Sequence, residues 1–228
     1  MRGKLYIVSA PIGNLEDITL RALRILKEVD LIAAEDTRHA KKLLNHYDIH
    51  TPMISYFEHN EIRRSEMLVE KINNGEDVAL ISNAGTPAIS DPGYRVIRKC
   101  IDDQINLVPI PGPSALLAAV TVSGFPIHNF TFEGFLSTKS SRRLRRLREI
   151  AGEERTLIFY ESPYRILKFL ADVLEAFGDR ELVIAREITK MYEEIYRGTV
   201  SQAIEKFTRE KPRGEFTIVI RGHQDEDS

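Results

Sequence analysis

The stretch ISNAGTPAISDPG, Ile81 to Gly93, follows a β-like run, VALIS, and precedes a helix-like one, YRVIRKC. It packs two Gly, two Pro, two Ala, two Ser and one Thr into a single strand-to-helix connection. Glycine lacks a Cβ and tolerates unusual φ, so Gly85 beside Thr86 and Pro87 would let a ligand approach main-chain atoms. A structural turn is the competing reading. Either way the stretch reads as a βα connection, the repeating unit of a parallel sheet covered by helices.

The same alternation extends upstream and downstream. KLYIVSA reads as a strand, and DITLRALRILKEV carries Leu20, Leu23, Leu26 and Val29 at helical spacing. LIAAE, MISYF, VALIS and INLVPI follow as strands, separated by the helical TRHAKKLLNHY, EIRRSEMLVEKINNG and YRVIRKCID. The loops PIGNLED, EDTR, EHN, NAGTP and PGPSA all come after strands, which is the ligand-binding end of an open parallel sheet. Past the Pro-rich PIPGPS, ALLAAVTVSG reads as a helix and FTFEGFL opens a second series of strands: TLIFYES, ELVIAREI, EEIYRGTV and GEFTIVI. YRILKFLADVLEAFG and SQAIEKFT are helical, and TKMYE is short enough to join antiparallel neighbours. The expected fold is therefore α/β with two domains, the first (1–112) on a mostly parallel sheet and the second (113–222) on a mixed one. Residues 223–228 read as an acidic tail.

Composition narrows the function classes. A net charge of -2 excludes a globally basic nucleic-acid coat protein, so any RNA contact must come from a local patch. The single cysteine, Cys100, builds neither a disulfide framework nor a thiolate zinc site and suits a reducing cytoplasm. The apolar run in MRGKLYIVSAPIGN is too short for a signal peptide, and no segment approaches a membrane span, so a cytoplasmic protein is expected. His39, His46, His50, His59, His128 and His223 lack ligand spacing, so no metal is expected. There is no GxSxG nucleophile elbow. GxxxxGK[ST] is absent as well, and where a dinucleotide fold would show GxGxxG the chain has Pro11-Ile12-Gly13-Asn14. What remains is a ligand held chiefly by main-chain groups of several strand-end loops. An adenosine-containing sulfonium is one such ligand, because carbonyl oxygens can face its charge.

Several ordered blocks carry a resemblance. Pro11 through Thr19, Ala34-Glu35-Asp36-Thr37-Arg38, Ser82 through Pro87 with Ser90 through Gly93, and Pro111 through Ala115 resemble the signature blocks of the ribosomal RNA small subunit methyltransferase I family. That family is a branch of the tetrapyrrole methylase fold. The likeness continues through Phe159 to Arg165, Ala185 to Glu187 with Thr189 and Lys190, and Gly214 to Thr217, nearly the whole chain. It implies two α/β domains with S-adenosylmethionine in a cleft between them, a homodimer, and 2′-O-methylation of a cytidine ribose in the decoding region of 16S rRNA, free or within the small ribosomal subunit. The implied cofactor contacts are Pro11, Gly13, Gly85, Thr86, Pro87, Ile89, Ser90, Ser114, Ala115, Tyr160, Ala185, Arg186, Phe216 and Thr217. Tetrapyrrole-modifying relatives carry Gly-Asp-Pro where this chain has Gly85-Thr86-Pro87, which weakens a corrin or porphyrin reading. Many members of the rRNA branch also extend past the last strand.

Two sets of charged residues bear on such chemistry. Lys139, Arg142, Arg143, Arg145, Arg146 and Arg148 fall in one run with no carboxylate before Glu149, which points to phosphate-backbone contact against the plainer reading of a solvated helix face. A ribose hydroxyl needs a proton acceptor or a nearby cation to become a nucleophile. Glu35, Asp36 and Arg38, with Asn14 beside Glu16 and Asp17, are the candidates at the ligand end. Asp36 reads equally as a helix cap paired with Arg38, and Asp17 as the cap of the first helix. Two readings stand beside an rRNA ribose methyltransferase: a tetrapyrrole methyltransferase, and a non-catalytic RNA-binding protein of ribosome assembly.

Overall fold

The computed structural model describes residues 2–224, and the chain divides between Ser114 and Ala115 into two compact units. In the first, strands β1 (Lys4–Val8), β2 (Leu31–Ala34), β3 (Met53–Ser55), β4 (Val78–Ile81) and β5 (Asn106–Ile110) alternate with helices α1 (Leu20–Glu28), α2 (Thr37–His46), α3 (Glu61–Asn73) and α4 (Tyr94–Asp102). All strand pairs are parallel, in the order β3-β2-β4-β1-β5. The reason lies in LIAA and VALI: every residue of β2 and β4 is buried, so both strands need cover on both faces. One face packs Val8, Ile32 and Ile81 against Ala22, Leu26 and Leu44 of α1 and α2, and the other packs Leu5, Ala33 and Leu80 against Leu68, Val96 and Cys100 of α3 and α4. Burial pushes the Cys100 thiol up to about 12, so it stays a small apolar filler. The expected MISYF strand is shorter, ending at Ser55: Tyr56 donates its amide to Ala34 O at 2.8 Å as the last tie to β2 and buries its ring, its hydroxyl 3.1 Å from Ser65 Oγ and accepting from the Val96 amide. Thr19, not Asp17, caps α1, through the Ala22 amide.

The second unit contains α5 (Ala115–Thr121), β6 (Phe130–Phe135), α6 (Ser140–Glu149), β7 (Thr156–Glu161), α7 (Ile166–Phe177), β8 (Glu181–Arg186), β9 (Glu194–Thr199), α8 (Val200–Arg209) and β10 (Phe216–Ile220). Its sheet order is β6-β7-β10-β8-β9. β6 and β7 are parallel, because α6 carries the chain back between them, and the other pairs are antiparallel. The TKMYE segment does join antiparallel neighbours, β8 and β9. One face packs on α6, α7 and α8, the other on α5. The His223 amide donates to Glu153 O at 2.7 Å, so the chain is still anchored at the start of the expected tail, and 225–228 lie outside the described residues.

Candidate functional site

In the first unit β2, β4 and β1 are adjacent and parallel, so the loops that leave them emerge side by side at the carboxyl edge of the sheet. The β1 and β4 loops are tied together: Ala10 and Gly85 exchange both backbone hydrogen bonds, at 2.8 and 3.0 Å, and the Ser9 and Thr86 hydroxyls lie 2.8 Å apart. Gly85 sits at φ +71°, a conformation that glycine takes without strain. A Cβ there would meet only Ile12 Cγ2 at 3.7 Å and Pro113 O at 3.9 Å, so neighbours do not fill the place a side chain would occupy. The Gly85 amide is already committed to Ala10, which leaves ligand contact at this glycine chiefly to shape. Gly93 closes the same turn: a Cβ there would come within 3.1 Å of Ala88 Cβ and 3.2 Å of Leu80 Cδ2. Ala88 and Ser90 hold positive φ without being glycine, local strain of the kind that functional turns retain. Gly13, Asn14, Ile89 and Ser90 are exposed on this edge, whereas Pro11 and Pro87 are buried beneath it.

Among the expected catalytic residues, Asp36 and Arg38 pair with each other. Asp36 caps α2, and its carboxylate accepts from the Arg38 amide at 2.8 Å and from the Arg38 guanidinium at 2.9 Å. Those bonds hold the Asp36 carboxyl down at about 2, a poor proton acceptor. Asn14 caps the short 3₁₀ turn Leu15–Asp17 through the Glu16 amide. Asp17 Oδ2 is buried and meets no partner. Glu35 reaches across to the β4 loop, where its Oε2 accepts from the Asn83 amide at 3.0 Å. Beside it is a carboxylate that the sequence reading passed over. Burial first, and then the charge of Glu35, push the Asp91 carboxyl up to about 7, with the Ser82 hydroxyl opposing. Two carboxylates that interact at the ligand end of a parallel sheet, one of them tuned close to neutrality, are a candidate acid–base pair. The signal was present in Ser90-Asp91-Pro92-Gly93, the one acidic residue in a turn of small residues, but it depends on burial and on a neighbour 56 positions away.

In the second unit the expected cofactor residues fall on the central strands. β10 sets Thr217 opposite Tyr160 on one side and opposite Ala185 on the other, so these three share a row on the face that packs on α5. Tyr160 is held there by Phe132 and Phe135, ring centroids 4.9 and 5.5 Å away, and its hydroxyl accepts from the Leu116 amide at 3.1 Å. Phe216 lies one position along and faces the opposite core, 2% exposed and 5.5 Å from the Phe207 ring, so its side chain is structural. Arg186 pairs with Glu194 at 3.4 Å, and its Nε is buried without a partner. Ala115 is the first residue of α5, and Ser114 the last of the first unit.

The arginine run forms α6 but is not one cationic face. Arg143 is buried, its side chain 3% exposed, and bonds Asp172 at 2.6 Å. It lies four residues before Leu147 and so shares the packed stripe, which the spacing of Leu144, Leu147 and Ile150 alone did not disclose. Arg146 pairs with Glu133 at 2.8 Å, Arg148 with Glu175 at 2.6 Å, and Arg145 approaches Glu149 at 3.9 Å. Lys139 and Arg142 are exposed and make no salt bridge among the described residues. The expected phosphate-binding set thus loses Arg143 to the core, and Arg146 and Arg148 are partly neutralised.

Residues 4–204 match the family model of the tetrapyrrole (corrin/porphyrin) methylases. The chain belongs to the tetrapyrrole methylase family. Its curated relatives include ribosomal RNA small subunit methyltransferase I of Thermotoga maritima, 51% identical over 97% of this chain and 100% of that protein. The proteins of the same name from Synechocystis and Escherichia coli O157:H7 are 50% and 46% identical, each covering 99% of this chain and 81% of the relative. Among solved structures, cobalt precorrin-4 methyltransferase superposes with TM-score 0.70 at 16% identity, over 96% of this chain and 94% of that one. Uroporphyrin III C-methyltransferase of Thermus thermophilus gives 0.67 at 19%, over 95% and 97%. These structures establish the fold: a parallel first sheet and a mixed second one, in a tetrapyrrole methylase architecture.

Within this family member the Thr86 departure has a visible role. Its hydroxyl belongs to the Ser9 contact that joins the two strand-end loops, a neutral link where an aspartate would bring charge. Among the described residues no group of three His, Cys, Asp or Glu side chains could hold a metal ion, and no helix is long and apolar enough to cross a membrane.

Proposed function

We propose that this protein is an S-adenosylmethionine-dependent methyltransferase that 2′-O-methylates a cytidine ribose in the decoding region of 16S rRNA, acting in the cytoplasm as a homodimer. The observation that carries the reading is 51% identity spanning all of the Thermotoga rRNA methyltransferase. S-adenosylmethionine, when bound, supplies an activated methyl group. The edge of the first unit suits it: Gly85 leaves a Cβ-sized space unfilled, Thr86, Pro87, Ile89 and Ser90 shape the turn, and the Glu35–Asp91 pair gives a cationic ligand an electronegative surrounding. In the second unit Tyr160, Ala185 and Thr217 are the candidates by side chain, and Phe216 by main chain alone.

Asp91, rather than Asp36, is the proposed proton acceptor. A carboxylate near neutrality can take the 2′-hydroxyl proton onto an Oδ at working pH, whereas one at about 2 is too weak a base. Glu35 keeps Asp91 basic by its charge while holding the Asn83 amide. The test is to supply methyl-labelled S-adenosylmethionine with unmodified small subunits, free 16S rRNA or a tetrapyrrole precursor, and to locate the label by nuclease digestion and mass spectrometry. Label on a cytidine ribose is the expected result. Label on the tetrapyrrole alone would move the protein to the other branch, and cofactor binding without any product would favour a non-catalytic RNA-binding role.

A further inference from the structure

A corner of the second unit, including the start of α6, takes over where the rest of the arginine helix is neutralised. β6 and β7 run parallel and end on the same side, with Phe135 opposite Tyr160 in register. The loops beyond them are joined, because Arg165 Nη2 donates to Leu136 O at 3.2 Å while its guanidinium is locked onto the buried Glu161 at 2.6 and 2.8 Å. Arg143 Nη1 donates to Ser137 O at 3.1 Å, which fixes the start of α6 against the same corner. Tyr164, one residue before Arg165, flanks this junction and is 92% exposed, whereas the Phe135 ring is turned to Tyr160. Lys139, Arg142 and Lys168, also exposed here, make no salt bridge among the described residues. The carboxylates of the corner, Glu161 and Asp172, are already committed to Arg165 and Arg143.

A solvent-facing ring beside unneutralised cations offers what a single-stranded polyanion needs, a stacking platform and partners for its phosphates. We propose that Tyr164, with Lys139, Arg142 and Lys168, forms a docking edge for a single-stranded segment of RNA, the ring stacking on an unpaired base and the cations following the phosphates. Duplex RNA buries its base faces in its own stack and offers nothing to the ring. The inference rests on the rRNA reading above; of the arginine run it keeps Lys139 and Arg142, at the start of α6, and adds Tyr164 and Lys168 at the strand-end corner.

Anisotropy titrations of the full chain with a fluorescein-labelled, unstructured oligoribonucleotide and with a blunt RNA duplex test it. Tyr164→Ala should weaken single-strand binding about tenfold, leave duplex binding unchanged, and raise KM for rRNA with kcat intact. Tyr164→Phe, which keeps the ring, should bind as wild type. Lys139→Gln combined with Arg142→Gln should lower the salt slope by about 1.4, at about 0.7 per phosphate contact on a single strand. S-adenosylmethionine affinity by calorimetry should be the same in all variants, which shows that they are folded. Unchanged single-strand binding in Tyr164→Ala, with rRNA still methylated by wild type, would overturn the edge and leave the proposed function standing. Ring-dependent strand binding with no methyl transfer to any RNA would do the reverse.

Discussion

Replacing Asp91 with Asn should stabilise the protein at pH 8 and leave it unchanged near pH 3.5. The folded-state carboxyl is raised from 3.8 to about 7. Between those values the folded chain keeps a proton that the unfolded chain has released, so wild-type stability falls as pH rises from about 4 to about 7 and levels off above. A shift of about 3 units at about 1.36 kcal/mol each is an upper bound of about 4 kcal/mol. Asp91 is only partly buried, and solvent screening reduces this to about 1–2 kcal/mol. For a chain of this length that is an increase in Tm of about 3–6 °C for Asp91→Asn at pH 8. Thermal unfolding followed by circular dichroism between pH 3.5 and 8 reads it, with Glu35→Gln as a partner variant that should move the wild-type break to lower pH by removing the second cause of the shift. Methyl transfer gives the matching readout: kcat/KM should rise through pH 7 in wild type, shift acidward in Glu35→Gln, and drop about 10²–10⁴-fold in Asp91→Asn. Parallel stability profiles for wild type and Asp91→Asn across the whole range would refute the reasoning.

Three further outcomes are expected. Gly85→Val should abolish S-adenosylmethionine binding by calorimetry while far-UV dichroism stays native, because the place of its Cβ is open but the backbone stands at φ +71°; unchanged affinity would remove Gly85 from the cofactor site. Arg143→Ala should cost about 3–5 kcal/mol in urea denaturation, since it strands the Asp172 carboxylate in the core, whereas the exposed Arg142→Ala should cost under about 0.5 kcal/mol. Asp36→Asn should keep full turnover, because the amide oxygen can still cap α2; a large loss of kcat would return Asp36 to the role of base.

The sequence by itself determined the order of strands and helices along the chain, the parallel first sheet and the mixed second one. Those features follow from local periodicity: LIAA and VALI have no polar face to give to solvent, and the small residues of Ile81 to Gly93 can only serve a turn. It misjudged residues whose state depends on a distant partner. Arg143 read as one more surface cation because nothing within a helical turn reveals Asp172, 29 positions on. Asp36 reads equally as a base and as a cap paired with Arg38, two residues on, and the pair is what the structure shows. Asp91 went unnoticed because proximity to Glu35 exists only once β2 and β4 lie side by side in the sheet. Hydrophobic pattern is written in neighbours along the chain, whereas the protonation state and accessibility of a charged group are set by burial and by charges that the fold brings together, and only the tertiary structure decides those.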